Sequence, residues 1–349
     1  MKKLFGATAL LCMAGVAHAQ SNVTLYGLLD ANLTYNNNAN ASKDSQFKLN
    51  SGGKNTSRFG LRGTEDIGNG MKVFMQLEGG ILLDTGASDG DLFGRQANVG
   101  LQGDFGRVVA GRSYSTTYDF VLPFDPMGYS PQYSWATSAG ATGGRKDGML
   151  TSTSNLIKYR YDGKGFKLGA TYGFGEVAGD TSANAKYVVA ASVNNGPWAA
   201  AVTYEQNNSA PIAGSNYDQA KVWHLAGSYE LGAAKLFAGY RNYTKSLATN
   251  AADLKSDMLW TGIDYKLSPQ WLLTGVYYKQ DIKNLAPGAD ADPGLLAFRA
   301  KYAVSKRTDI YLAGGYAKSS NGKLTGVSRD DAGFGTSQTS ATVGIQHRF

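Results

Sequence analysis

A chain of 349 residues with 45 Gly, 21 Tyr and 14 Phe but only 8 Pro favours strands joined by turns over helices, whose interiors Gly weakens by about 1 kcal/mol. One Cys excludes a disulfide framework and a Cys-based zinc site, and a net charge of +7 is too small for this length to call for nucleic acid. A hydrophobic content of 42% with a mean hydropathy of -0.28 excludes a bundle of membrane-crossing helices, each needing about 20 consecutive apolar residues, but not a β-barrel, whose alternating faces average to a soluble-looking value.

The first predicted element is a leader. Lys2 and Lys3 form a charged start, Leu4 to Val16 an apolar stretch, and Ala17-His18-Ala19 a small-residue cleavage site. These are the parts of a secretory signal peptide over residues 1–19, with Gln20 as the first mature residue. The apolar stretch is too short for an anchor, and Leu11 before Cys12 is not the small residue that lipoprotein processing wants. Cleavage removes the only Cys, so the exported chain meets an oxidising compartment without a thiol.

Residues 20–349 then read as a single β domain. From Val23 to Tyr35 the odd positions are apolar or Gly and most even ones polar, an alternation that marks a long strand with one apolar face. It recurs at Phe166, Leu168, Ala170, Tyr172 and Phe174, at Trp198, Ala200, Val202 and Tyr204, and at Leu259, Thr261, Ile263, Tyr265 and Leu267. Strands of about 10 residues or more suit a tilted crossing of a bilayer better than a soluble sandwich. Seven short turns, such as Gly103–Gly106 and Asp162–Gly165, alternate with eight longer polar loops, among them Asn36–Lys54, Asp84–Asp91, Ser113–Thr151 and Ser319–Thr336. That asymmetry predicts an all-β, 16-stranded antiparallel transmembrane β-barrel with long extracellular loops and short periplasmic turns, wide enough to enclose water.

Several segments carry a family likeness: Ser21-Asn22-Val23-Thr24-Leu25-Tyr26-Gly27, Ser57-Arg58-Phe59-Gly60-Leu61-Arg62-Gly63-Thr64-Glu65-Asp66, Phe93-Gly94-Arg95-Gln96-Ala97 leading into Val99-Gly100-Leu101, Gly111-Arg112, Ser305-Lys306-Arg307-Thr308, and Val343 to Phe349. Together, and over the whole of residues 20–349, the chain resembles the trimeric general porins of Gram-negative bacteria, in particular their β-proteobacterial branch. The resemblance implies a homotrimer among outer-membrane lipids, reached through the periplasm, and passive diffusion of ions and small hydrophilic solutes. It also implies that Phe349 is a C-terminal signal read by the assembly machinery.

The stretch 113–151 is too long for an idle connection, and the resemblance makes it the third loop, folded inward to form the constriction. Before Arg145 its only acids are Asp119 and Asp125. Phe120, Val121, Leu122 and Phe124 can pin the loop to the wall while both carboxylates face the channel. The opposing wall should be basic. Alternation sends Arg58 and Arg62 inward, and likewise Lys158 with Arg160, Lys235 with Arg241, and Arg299 with Lys301, because a cation at mid-bilayer on the lipid face costs about 2–4 kcal/mol. Gln76 and Glu78 also point inward, and Glu78 is counted with the constriction acids. Arg95 and Arg112 share parity with lipid-facing neighbours, so each must sit at a strand end or beyond a bulge. Arg58, Arg95 and Arg112 match family positions that line the constriction; a further family Arg is replaced near Thr151 and Ser152, where Lys158 substitutes in part. A basic wall facing two carboxylates sets up a transverse field, and the surplus of cations predicts a weak anion preference.

No chemistry is expected beyond filtration. His224 and His347 lie far apart, with no motif for nucleophilic catalysis, so neither an enzyme nor a cofactor is expected. Asp84, Asp89 and Asp91 offer oxygen ligands for calcium, but their spacing is not an EF-hand and a solvated loop is the expected reading; the resemblance adds that this second loop can latch onto a neighbouring subunit. Two other readings stay open: a substrate-specific channel, and a barrel acting mainly as an adhesin or surface structural protein.

Overall fold

The computed structural model describes residues 22–138, 147–212 and 216–349; the expected leader, residues 1–19, lies outside them. Among the described residues seventeen strands form one sheet: β1 (Asn22–Asn36), β2 (Gln46–Ser51), β3 (Arg58–Gly68), β4 (Met71–Gly80), β5 (Gln96–Gly103), β6 (Gly106–Tyr114), β7 (Ser152–Gly163), β8 (Phe166–Gly173), β9 (Lys186–Asn195), β10 (Trp198–Asn208), β11 (Gln219–Leu231), β12 (Ala234–Ser246), β13 (Leu254–Lys266), β14 (Trp271–Lys283), β15 (Gly294–Ala303), β16 (Thr308–Lys318) and β17 (Ser337–Arg348). All the pairings are antiparallel, and β1 pairs with β17 from Leu28↔Arg348 to Asn36↔Ser340, which closes the sheet.

The barrel nevertheless has sixteen staves. β2 pairs with the upper half of β1, Ala31↔Ser51 to Asn36↔Gln46, and β3 with its lower half, Asn22↔Thr64 to Leu28↔Arg58. The two are halves of one stave, interrupted at residues 52–57. Sequence reading placed β2 inside a long loop ending at Lys54; the structure corrects this, because six alternating residues there find a ladder on β1 before the chain leaves the wall.

The short turns fall where expected. Between β3 and β4 the turn is Asn69-Gly70, with φ of 52° and 75°, the left-handed pair that lets two residues reverse a right-twisted hairpin. These turns gather at one end, which faces the periplasm in outer-membrane barrels. Along each strand one face points out and one in. On β13, Leu259 and Ile263 are exposed outward while Met258 and Trp260 are buried inward. Aromatic pairs Trp198–Tyr229 and Trp271–Tyr302, with ring centroids 4.4 and 4.9 Å apart, sit on the strand ends next to the turns, where amphipathic rings meet the headgroups.

The core lies inside the barrel, on one side of it. After β6 the chain enters α1 (Thr116–Val121), capped by the Ser115 Oγ accepting from Tyr118 N at 3.0 Å, then a single 3-10 turn (Leu122–Phe124). Phe124, Met127, Tyr133 and Trp135 bury against Met258, Trp260, Val276, Leu295 and Ala297 on the inner wall. The wall approaches closely at Gly262, where a Cβ would lie 2.6 Å from Pro126 Cγ. Polar ties finish the seat. Trp260 donates to the Phe124 carbonyl at 2.9 Å, Trp135 to the Val327 carbonyl at 3.0 Å, and Arg299 to the Pro126 and Met127 carbonyls at 3.1 and 3.2 Å. Arg241 donates to the carbonyls of Ala136 at 2.6 Å and Asp147 at 3.1 Å. Arg241 and Arg299 do point inward, as alternation requires, but they hold the loop rather than line water.

Candidate pore constriction

With one side of the lumen filled by the inward loop, the open space runs along the β3–β7 wall. Toward the long-loop end it is bordered by Asn55, Thr56, Arg58, Arg95, Tyr114, Tyr118, Gly128, Tyr129, Thr151, Ser152 and Arg329. Deeper, past Tyr114, it is bordered by Gln76, Gln96, Asn98, Arg107, Val109, Ser113, Asp119, Lys158 and Arg160. Six cationic side chains and one carboxylate, Asp119, border these two stretches.

The charges are not equally free. Arg95 lies just before β5, the strand end that its parity required. Its Nε meets Glu78 Oε1 at 2.9 Å, and its Nη2 donates to Tyr114 Oη at 2.5 Å. Glu78 also accepts from Tyr114 at 3.1 Å and from Tyr26 at 2.8 Å. Glu78 therefore stands within the basic wall as the partner of Arg95. This corrects its grouping with Asp119 and Asp125 on the acidic side of the constriction: β3, β4 and β5 are adjacent staves, so Arg58, Glu78 and Arg95 share a wall. Arg58, at the first position of β3, has no ion-pair partner among the described residues.

On the loop side, Asp119 reaches the lumen but contacts a base instead of facing one across a gap. Its Oδ2 lies 3.0 Å from Lys158 Nζ, which also donates to the Tyr114 carbonyl at 2.8 Å and to Ser113 Oγ at 3.2 Å. Lys158 borders the lumen below Arg95. Asp125 does not face the channel, and that expectation is corrected. Its carboxylate is buried and accepts from Tyr129 N at 2.7 Å, Met127 N at 3.3 Å, Ser134 Oγ at 2.7 Å and Tyr278 Oη. Four donors converge there because the chain reverses after the 3-10 turn, and a carboxylate satisfies them all. Burial pushes the Tyr118 hydroxyl pKa up, so this ring presents a neutral surface to the pore.

Two more basic residues fall elsewhere. Arg62 shares the inner face of β3 with Arg58, but it lies nearer the short turns, exposed, with its guanidinium 5.2 Å from the centre of the Tyr26 ring. Arg112 pairs in register with Ala97, on the face opposite Asn98 and Gly111, beside a register shift between Gly111 and Ser113. The bulge demanded by its parity is present, yet the side chain stays on the outer face. It donates to the Gly94 carbonyl at 2.5 Å, to Ser154 Oγ at 2.8 Å and to Ser152 Oγ at 3.4 Å. The constriction position expected for Arg112 is therefore corrected: the extra residue of the bulge belongs to β7, so the parity of β6 is unbroken.

Other singled-out residues have plain placements. Asp84, Asp89 and Asp91 are exposed, and no cluster of three metal-ligating side chains occurs among the described residues. His224 is buried against Thr203, with Nδ1 2.9 Å from its hydroxyl. Phe349 extends the β1–β17 ladder, exchanging two 3.1 Å backbone hydrogen bonds with Gly27. Its ring occupies the space a Cβ on Gly27 would need, 2.3 Å from Cζ.

Sequence reading missed Arg329 and Lys54. Arg329, from the loop before β17, donates to the Tyr129 carbonyl at 2.9 Å and to Thr137 Oγ1 at 3.2 Å, and borders the pore beside Thr151 and Ser152. It lies in a long loop with no periodicity to betray its direction. Lys54 is buried in the break of the second stave; the preceding Gly52-Gly53 was a usable signal, since paired Gly within a strand marks a bulge or a close backbone approach.

The chain also resembles known proteins over its whole length. It is 32% identical over 361 residues to outer membrane porin protein 32 of Delftia acidovorans and 30% identical over 413 residues to an outer membrane porin protein of Bordetella pertussis, each alignment covering 100% of both chains. Its fold matches that of the anion-selective porin from Comamonas acidovorans with a TM-score of 0.83 and 28% identity, covering 95% of this chain and 100% of that one. The family described as Gram-negative porin matches residues 6–322. With a closed sixteen-stave barrel, a water-lined lumen narrowed by an inward loop, and this likeness in sequence, the chain belongs to the Gram-negative porin family, as an outer-membrane channel for passive diffusion of small hydrophilic solutes.

Proposed function

We propose that this porin passes small anions in preference to cations. One observation carries the reading: six cations and a single carboxylate border the two stretches of lumen along β3–β7, and after the ion pairs of Arg95, Lys158, Arg160 and Arg329 are formed, Arg58 and Arg107 keep their charge without an ion-pair partner among the described residues. Charges beside a low-dielectric wall act on ions in transit without binding them tightly, which a conducting pore requires. The solved relative from Comamonas acidovorans carries the description anion-selective, which supports the same reading here. Width and charge do the sorting, and no catalytic step is assigned. Uptake into proteoliposomes tests it: a small monocarboxylate should enter faster than a primary ammonium of the same size, and faster entry of the ammonium would refute it.

The assembly expectations are proposed with it. Three copies form the channel unit in the outer membrane, residues 1–19 are removed on export, and Phe349 at the end of the β1–β17 ladder serves as the assembly signal. Cross-linking in the membrane should trap trimers; a ladder ending at dimers would contradict this.

A further inference from the structure

The inner wall has two kinds of covered surface. Beneath the inward loop it is apolar: Met258, Trp260, Val276, Leu295 and Ala297 offer the loop a hydrophobic seat. Across β1, β16 and β17 it is polar, with Asp30, Asn32, Thr34, Asp309 and Gln346, the side chains that water in a lumen would be expected to wet. Each is nonetheless 4% exposed or less.

What covers this sector is largely residues 52–57, the break in the second stave. Gly52, at φ +81°, turns the chain inward, and Gly53 lies so close to the wall that a Cβ there would be 2.6 Å from Tyr311 Oη and 2.8 Å from Asn32 Cγ. Lys54 N and Asn55 N donate to Asp30 Oδ2 at 3.2 and 2.9 Å, and Asn55 Nδ2 donates to Gln346 Oε1 at 2.5 Å. The Lys54 ammonium lies 2.8 Å from Asp309 Oδ2. On the other side, Ser130 of the inward loop donates to the Gly53 carbonyl at 2.7 Å. The segment thus bridges wall and loop, and its far edge, Asn55 and Thr56, borders the open pore next to Arg58.

We propose that residues 52–57 form a partition that keeps the carboxylates of Asp30 and Asp309 out of the ion path, with the Lys54–Asp309 ion pair as its pin. Lys54 sets charge selectivity without touching the permeating ion. It is a positioning residue. The consequence for selectivity deepens the anion-preference reading and rests on it; the partition itself does not. With the pin removed, an acidic sector joins the lumen, the conducting area grows, and cations gain a path that the basic wall does not line.

The test uses the full chain carrying Asn32→Cys, behind the partition. A negatively charged methanethiosulfonate reagent is added to channels in a planar bilayer while conductance and zero-current potential in a KCl gradient are followed. In the Lys54→Met background the introduced thiol should react about tenfold faster than in the parent background, since an accessible thiol reacts where a buried one is inert. Before labelling, Lys54→Met should conduct more, with its permeability ratio moved toward cations relative to the parent. Lys54→Arg, which keeps a cation at the pin, should restore both. Equal labelling rates in the two backgrounds overturn the proposal, as does a Lys54→Met channel with unchanged conductance and selectivity. If Lys54→Met does not assemble, Asp309→Asn breaks the same ion pair and is read by the same assay, where an unchanged rate is equally fatal. Faster labelling of the Lys54→Met channel, together with a parent channel that prefers cations, would uphold the partition and refute anion preference.

Discussion

Arg58→Ser offers the cleanest test of the wall charges, because Arg58 borders the pore and has no ion-pair partner among the described residues. Removing it changes the local charge by one unit without stranding a buried acid. For an ion passing about 6 Å from the guanidinium in water, the interaction is about 0.7 kcal/mol, and screening at 0.1 M salt leaves about 0.4 kcal/mol. Losing it raises the barrier for anions and lowers it for cations, so the permeability ratio shifts toward cations by about fourfold. At 1 M salt the screening length falls to about 3 Å and the same estimate leaves a change of only about 1.4-fold. Zero-current potentials of parent and variant, measured across salt gradients at both concentrations, read this directly. A thermal melt checks that stability moves by no more than about 0.5 kcal/mol, as for other surface changes. An unchanged potential at 0.1 M salt would remove Arg58 from the ion path, and a shift that persists at 1 M would refute the screening argument.

Further substitutions separate wall, anchor and outer face. Arg112→Ala should leave the zero-current potential unchanged, since the side chain lies outside the lumen; a cation shift as large as that of Arg58→Ser would return it to the pore. Arg95→Ser leaves Glu78 buried without its cation, so it should combine a cation shift with a loss of about 3–5 kcal/mol, seen as a lower melting temperature. Asp125→Ala removes the acceptor of four hydrogen bonds that hold the inward loop. It should give noisier single-channel currents and faster proteolysis within the loop, while quiet currents would show that the apolar seat suffices. Trp135→Ala empties a fully buried site and should cost about 3–5 kcal/mol in denaturant unfolding with the barrel's strand content retained.

The staves and turns were legible because lipid outside and water inside impose one rule on every strand. Leu259 and Ile263 outward, with Met258 and Trp260 inward, follow from period-2 alternation alone. Asn69-Gly70 announced its turn by the left-handed conformations it permits. Alternation also found Arg58, Lys158 and Arg299 on the inner face, but not what each would meet there. Arg299 ends on the carbonyls of the inward loop, whereas Arg58 ends in the pore, a difference set by where that loop lies down. Asp119 and Asp125 are only six residues apart, yet one borders the lumen and the other is sealed by four donors. The reversal at Asp125–Gly128 that separates them has no periodic signature. The break in the second stave escaped notice for a similar reason: β2 is too short to stand out within a polar stretch, and the inward direction of Lys54 depends on Asp309, far away in sequence.

The central claim is that the surplus of positive charge along the β3–β7 wall, with Arg58 and Arg107 free of ion-pair partners among the described residues, governs passage. It is tested most directly by the sign of the zero-current potential of the unsubstituted channel, in a planar bilayer with about 0.1 M KCl on one side and a tenfold lower concentration on the other. The account predicts that the concentrated side becomes positive, as chloride crosses ahead of potassium. A negative potential on that side, with potassium crossing first, would contradict it.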